Sequence, residues 1–520
     1  MSGPSPSDSS VDSPPLRALG LSLIALALSA IPAAALAAGE EEKDESPFYA
    51  AYRIWAEGAG GVDLTPEAVT NERRPGLLHQ RLRLHYNQSF GDFRGVAGAD
   101  LLTGTLVGTA PDLSPTEAAS GTRVAGGVVD RPENIFAPRQ AYIEWQSDRS
   151  GRVKLGLQTS HWGLGISAND GVAEEDRLFN HRYGGDRVFR ASYTAAPFAA
   201  IAYGAFAQNF HVGLGADFVF RDDEAALSRG DRAGRGLLAL LYKGDQFELG
   251  HYMTYRGQRD ANGDRLTSFQ LDYFGNVAWV ADSGWDFRIG AESVVELGAT
   301  DRIVAEGSEA ASIRGFGTAA EFEAGHIPSE FRFRLLGGYA SGDSDRQDDT
   351  LRGFQFDPNY QVGLVLFDHY LPQVTAQGYR GAVDPARGAH SPEGAAEFVN
   401  DGGVHNAVYL NPMVLFGQRE GLLTGLGVLW ARAVEPVADP AATFANGGTP
   451  TGPAGATPAT RNLGWEADVA TRYRHQLDVG LTLEVKAEYG LLFPGDAFAS
   501  DQGTPAPPNS LFRGSLAAIW

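Results

Sequence analysis

Asn509-Ser510-Leu511-Phe512-Arg513-Gly514-Ser515-Leu516-Ala517-Ala518-Ile519-Trp520 closes the chain, and its alternation decides the fold. Successive side chains of an extended strand leave on opposite faces. Phe512, Leu516, Ala518 and Trp520 therefore share one face, while Arg513 and Ser515 share the other. One apolar face and one charged face suit a strand that meets lipid outside and water inside. In bacterial membrane barrels a terminal strand ending on an aromatic residue resembles the signal read by the barrel-assembly machinery. Phe512, Leu516, Ala518 and Trp520 are the residues expected to carry it.

The same period recurs upstream. Leu82, Leu84 and Tyr86 alternate with Arg81, Arg83, His85 and Asn87, and Val153, Leu155 and Leu157 alternate with Arg152 and Lys154. Near the end, Val479, Leu481, Leu483, Val485, Ala487 and Tyr489 run opposite Glu484, Lys486 and Glu488. Reading this period along the chain predicts about eighteen strands, an even number as single-chain bacterial barrels require. They begin near residue 48 and end at 520, one of them covering 198–221. Short links such as 89–92, Ala196-Pro197, 243–246 and His475-Gln476 all fall on one side if the N-terminus lies in the periplasm. Long links then fall outside, which is the alternation an outer-membrane barrel shows. The expected fold class is all-β: a transmembrane antiparallel up-and-down β-barrel in the outer membrane. Trp55, Tyr86, Trp145, Trp285 and Tyr489 near strand ends suit aromatic girdles.

Composition agrees. The 520 residues include 65 Gly, 3 Met and no Cys, which excludes disulfides and thiolate metal sites. A formal charge of −22 excludes nucleic acid as a partner, because phosphate binding needs concentrated basic surface. Arg17, the apolar stretch 18–31, Pro32 and Ala35-Leu36-Ala37 read as a secretory signal peptide over residues 1–37. An acidic periplasmic tail follows over 38–47, and the barrel occupies 48–520. No later stretch offers the roughly 18 apolar residues of a spanning helix, so the membrane must be crossed by a closed barrel.

With the apolar parity facing lipid, Arg81, Arg83, His85, Arg94, Arg152, Lys154, Arg332 and Arg334 point into the lumen. Asp272, Glu321, Glu323, Glu466 and Asp468 point inward too, as do Glu292, Glu484 and Glu488. Bases gather in the early strands and acids in the middle ones. Such opposed walls orient and filter polar solutes, making these side chains candidates for selectivity. The longest outer connection, 342–404, is too long to lack structure of its own. It carries Phe354, Phe356, Asp357 and Tyr360, then an apolar stretch with Leu364, Leu366 and Phe367. Apolar residues in an outer loop are costly in water, so these are expected to fold inward or cap the barrel as a gate or constriction, the alternative being a surface lid or partner site.

Three other motifs have plainer readings. The acidic run Asp343, Asp345, Asp348 and Asp349 offers oxygen ligands for Ca²⁺ but matches no standard loop spacing. Asp260-Ala261-Asn262-Gly263-Asp264 reads as an Asn-Gly hairpin turn. Ser160-His161 with Asp170 supplies the residue types of a hydrolase, without a Gly-x-Ser-x-Gly elbow.

His161-Trp162-Gly163-Leu164-Gly165, Ala168-Asn169-Asp170-Gly171, Phe356-Asp357-Pro358-Asn359-Tyr360 and Asn406-Ala407-Val408-Tyr409-Leu410 resemble a family of poorly characterised outer-membrane proteins from myxobacteria and relatives. In architecture the chain is also similar to alginate-export and exopolysaccharide-secretion porins. These resemblances imply an outer-membrane barrel and assign no ligand residues. The expected function is a porin-like channel for polar solutes, with polysaccharide export as its most specific version. The alternative is a plugged structural or adhesive barrel presenting its outer loops. No enzyme activity and no cofactor are expected; the expected partners are outer-membrane lipids, the assembly machinery and a polar solute or polysaccharide.

Overall fold

The computed structural model describes residues 47–520 apart from 66–67, 71–75, 109–133, 148–150, 172–177, 181–183, 200–203, 303–308, 346–347, 384–399, 401, 419 and 448. The expected signal peptide and all of the acidic tail but Pro47 lie outside the described residues.

Eighteen antiparallel strands form the wall. The first six are β1 (Phe48–Ala59), β2 (Leu77–Phe90), β3 (Phe93–Val107), β4 (Asn134–Ser147), β5 (Gly151–Thr159) and β6 (Arg187–Ala195). There follow β7 (Phe210–Arg221), β8 (Arg232–Lys243), β9 (Phe247–Arg259), β10 (Arg265–Val280), β11 (Trp285–Thr300) and β12 (Ala311–His326). The last are β13 (Phe331–Ala340), β14 (Ala407–Gly417), β15 (Leu422–Ala433), β16 (Asn462–Gln476), β17 (Thr482–Pro494) and β18 (Asn509–Ile519). Each pairs with its sequence neighbours, and β1 pairs with β18 from Ala51↔Ile519 to Ala59↔Leu511. The backbone of Trp520 completes the seam: its N–H donates to the Ala50 carbonyl at 2.8 Å and its carbonyl accepts from Ala50 at 3.2 Å. Closure leaves no sheet edge, which is what a strand structure needs in lipid.

Turns and loops alternate as the sequence leads one to expect, with one correction. The strand expected over 198–221 begins only at Phe210, and the helix α1 (Ala205–Asn209) precedes it. Pro197 has no N–H for a ladder, and the Ala-rich segment after it lacks charged alternation, so nothing in it asks for a strand. This makes 196–209 the long exception among the periplasmic turns. Phe198, Phe206 and Phe210 stack there at centroid distances of 5.4–6.2 Å.

Outward positions are apolar and exposed: Leu155 at 63%, Leu516 at 57% and Leu426 at 48%. Inward positions are charged and buried, Glu292 and Glu466 at 0% and Arg513, on the same strand as Leu516, at 1%. That inversion of a soluble protein is the mark of a wall bathed in lipid. Trp279, Trp285, Phe287, Phe331 and Phe416 form a band of touching rings at the periplasmic strand ends, as an interfacial girdle does. No helix among the described residues is long and apolar enough to cross a membrane; the strands do so. The protein is an outer-membrane β-barrel.

Leu155 sits mid-strand on the lipid face. Leu155→Arg is expected to destabilise the barrel by about 2–4 kcal/mol in lipid vesicles, the cost of a midplane arginine. Urea titration of folded and unfolded bands checks it.

Candidate functional site

The lumen is occupied by the chain's own outer loops. In the connection between β13 and β14, Phe354, Phe356, Tyr360, Leu364, Leu366 and Phe367 are all buried, as is Asp357. They share one apolar cluster with inward wall residues Ala319, Leu336, Tyr409, Met413 and Leu429. Phe356 and Phe367 meet the Tyr409 ring edge-on at 6.5 and 6.1 Å. The loop continues into the helix α2 (Leu371–Val383). Here Gln373 accepts from the Val62 amide at 3.3 Å and His369 Nε2 lies 3.1 Å from the Gly60 carbonyl, tying the first outer connection to the infolded loop.

A loop inside a barrel must satisfy its backbone donors without water. Wall carboxylates do this. Glu466 on β16 accepts three consecutive amides, Leu364 at 2.5 Å, Val365 at 2.9 Å and Leu366 at 2.7 Å. On β11, Glu292 accepts the amides of Leu164 and Gly165, the latter at 3.0 Å. Both loops use glycine for the approach. Gly363 (φ +69°) and Gly163 (φ +57°) stand where an added Cβ would lie 2.7 Å from Glu466 and 2.5 Å from Glu292. Only glycine combines that backbone with that proximity.

Further contacts bind the loop between β5 and β6. Asp272 accepts from Trp162 Nε1 at 3.2 Å and Ser167 Oγ at 2.6 Å. Glu488 accepts the Phe179 amide at 2.9 Å, and Lys486 donates to the Asn180 carbonyl at 2.6 Å. The two infolded loops also hold each other: Asp357 accepts the Asn169 amide at 3.0 Å, and its own amide donates to the Ile166 carbonyl at 2.9 Å.

The remaining inward charges expected to set selectivity are largely matched across strands. Arg83 forks onto Asp100 at 2.7 and 3.0 Å, and Arg334 pairs with Glu321 at 3.0 Å. Arg332 bonds Glu323 and lies 3.2 Å from Asp286. Arg152 and Lys154 sit 3.4 and 3.1 Å from Glu144, and Arg94 stands opposite that same residue in the β3–β4 register. Arg81 is fully buried, His85 half-buried, and Asp468 lies two residues from Glu466 on the same inward face.

Two cavities flank the infolded loops. The outer one encloses about 130 Å³ and is walled by Ile166, Ser167, Phe354 and Asp357 on the loop side. Its wall side carries Arg235, Arg256 and Arg302 together with Asp186, Asp222, Asp223 and Glu224. The periplasmic one encloses about 290 Å³, with Leu178 and Phe179 on the loop side and Arg288, Glu323, Arg332, Arg334, Met413 and Leu415 on the wall. The outer charges were not singled out from sequence. Their signal is the triplet Asp222-Asp223-Glu224 directly after a strand, with Arg235 and Arg256 on the two strands that follow.

Burial alone would raise the Asp222 carboxyl, but Arg256 and Arg235 outweigh it and hold it below the usual carboxylate range. At Asp223 burial acts in the same direction as the carboxylates of Asp186, Asp357 and Asp222, and together they push it well up.

Two expected motifs come out as plain structure. The Ser160 hydroxyl accepts from Arg190 at 3.1 Å, and His161 Nδ1 lies 3.6 Å from Asp170, so these residues do not form a triad. In the acidic run, Arg352 pairs with Asp348 at 2.7 Å and lies 3.6 Å from Asp343. No group of three or more His, Asp or Glu side chains among the described residues is placed to hold a metal ion.

A closed, lipid-facing wall with its own outer loops folded into the lumen defines an outer-membrane barrel narrowed from within. The sequence matches no protein-family model and no curated protein. Among solved structures the chain is similar to Pseudomonas aeruginosa OccK8 (OprE), at 9% identity and TM-score 0.48 over 91% of this chain and 97% of that one. It is similar to Acinetobacter baumannii OccAB2 at 10% identity and TM-score 0.46, over 91% and 97%. A third is P. aeruginosa OpdK with vanillate, at 11% identity and TM-score 0.45 over 91% and 98%. The likeness runs over the barrel as a whole and assigns no residue a role.

Glu466→Ala removes three charge-assisted bonds, each worth about 1.5–3 kcal/mol. Amide protection of residues 364–366 in hydrogen exchange is expected to fall by about a hundredfold or more, and Glu466→Gln, which keeps one acceptor, is expected to fall between. A second expectation concerns Asp223. Its raised carboxyl costs stability once pH exceeds the ordinary carboxylate value, so Asp223→Asn should stabilise the barrel at neutral pH. That gain should vanish at about pH 3, where the unfolded carboxyl is also protonated, as urea midpoints across pH will show.

Proposed function

We propose that this barrel is a selective channel for small polar solutes, its passage set by the infolded loops. The observation that carries the reading is the pair of polar cavities on opposite sides of those loops, one facing each mouth. An inert plug needs no charged recesses above and below it. A solute entering from outside meets Arg235, Arg256 and Asp223, while the inner recess offers Arg288, Arg332 and Arg334 beside Phe331 and Met413. Charged walls in a confined, low-dielectric space sort solutes by charge and size.

Polysaccharide export draws no support from this interior. A polymer needs a continuous wide bore, and here Tyr370, Phe367 and Leu366 are completely packed where one would run. The plugged, adhesive barrel is the second reading, favoured by the three-amide grip of Glu466. The two part in a planar bilayer. The channel reading expects discrete conductance from the purified protein, and a rise of about severalfold on deleting 342–404, because pore-lining bulk sets what passes. A wild-type barrel silent at all voltages, opened only by the deletion, would establish the plug.

A further inference from the structure

Charge around the outer cavity does not balance, and the excess is localised. Arg256 is taken bidentately by Asp222, at 2.7 and 3.1 Å, and Arg302 by Asp260 at 2.6 Å and Glu224 at 2.8 Å. Asp357 is spent on the Asn169 and Asn359 amides. Asp223, lining the same cavity, has no hydrogen bond or ion pair among the described residues. The Asp186 carboxylate, 3% exposed, has Arg235 at 3.8 Å as its one ion-pair partner among the described residues.

Arg235 supplies the second half. Its side chain is 9% exposed and its Nη2 forms an ion pair with Asp217 at 3.3 Å, while its Nε makes no hydrogen bond among the described residues. Buried guanidinium N–H groups left unpaired are costly, as is a carboxylate without a cation. One cavity thus presents a carboxyl group without a cation beside a buried guanidinium N–H without a hydrogen bond, both among the described residues.

We infer that the outer cavity is a subsite for a small organic cation that also carries a neutral hydrogen-bond acceptor, an amino sugar being a simple example. Asp223 receives the ammonium group, and Arg235 donates to a hydroxyl or ring oxygen. The acceptor is neutral because a solute carboxylate brought to Arg235 would also face Asp186, Asp222 and Asp217. This names the solute class for the channel proposed above and rests on that reading.

Three sugars of one scaffold test it: glucosamine, N-acetylglucosamine and glucuronate, which are cationic, neutral and anionic at neutral pH. Their flux is measured into liposomes holding the full-length protein. Glucosamine is expected to enter faster than glucuronate by about tenfold, the scale on which a charged cleft concentrates its counter-ion, with N-acetylglucosamine between them. Asp223→Asn should bring glucosamine down to the N-acetylglucosamine rate, while Asp223→Glu keeps the preference. Heat-modifiable migration on gels shows that the variant barrel is folded. Glucuronate entering as fast as glucosamine, or a preference that survives Asp223→Asn, overturns the subsite and leaves the channel standing. Entry of none of the three overturns both.

Discussion

A buried carboxylate gripping backbone amides is the interaction on which this interior depends. Glu466 holds residues 364–366 and Glu292 holds 164–165, each from an inward position of the wall. Without such acceptors a loop could not enter the barrel, since its amides would be stripped of water and left unpaired. With them, the carboxylate and the amides solve each other's desolvation at once. The charge is spread over several short bonds, as in the anion-binding nests of other folds.

The grip explains why apolar and charged residues coexist in one lumen. Phe356, Leu364, Leu366, Phe367 and Tyr370 supply the cohesion of a core, and the wall acids supply the registry that fixes where it sits. Lys486 and Arg513 beside Glu488, at 3.1 and 3.4 Å, keep that acid from being an isolated buried charge as it takes the Phe179 amide. Charges not used in this way collect above and below the loops. The uneven distribution of acid and base along the lumen is therefore a consequence of where loops are anchored.

The wall was legible in the sequence because a barrel strand carries its whole environment in a period of two. Arg81 and Arg83 against Leu82 and Leu84 reveal both faces without knowledge of any partner. The terminal strand was equally plain, and in the structure its Trp520 pairs with Ala50 across the seam. The segment 198–209 was not, since an Ala- and Phe-rich stretch fits strand or helix and only its place beside Pro197 argues otherwise. The interior was half legible. That residues 354–367 are too apolar for water could be read directly, and the structure buries them. That Glu466 serves them could not, because the two lie about a hundred residues apart and an inward acid looks the same whether it meets solute or backbone. Gly163 and Gly363 were the available clue: each stands before a leucine whose amide meets a buried glutamate.

The central claim is that the loop after β13 lies inside the wall at Glu466. Gly490 on β17 offers a direct probe, for a Cβ built there lies 2.7 Å from Val365 Cγ2, and the native chain has no cysteine. The Val365→Cys, Gly490→Cys pair in the folded barrel should form a disulfide under mild oxidation, visible as a shift on non-reducing gels, and should lock the conductance at one level. Two free thiols, both labelled by a membrane-impermeant maleimide from outside, would contradict the account.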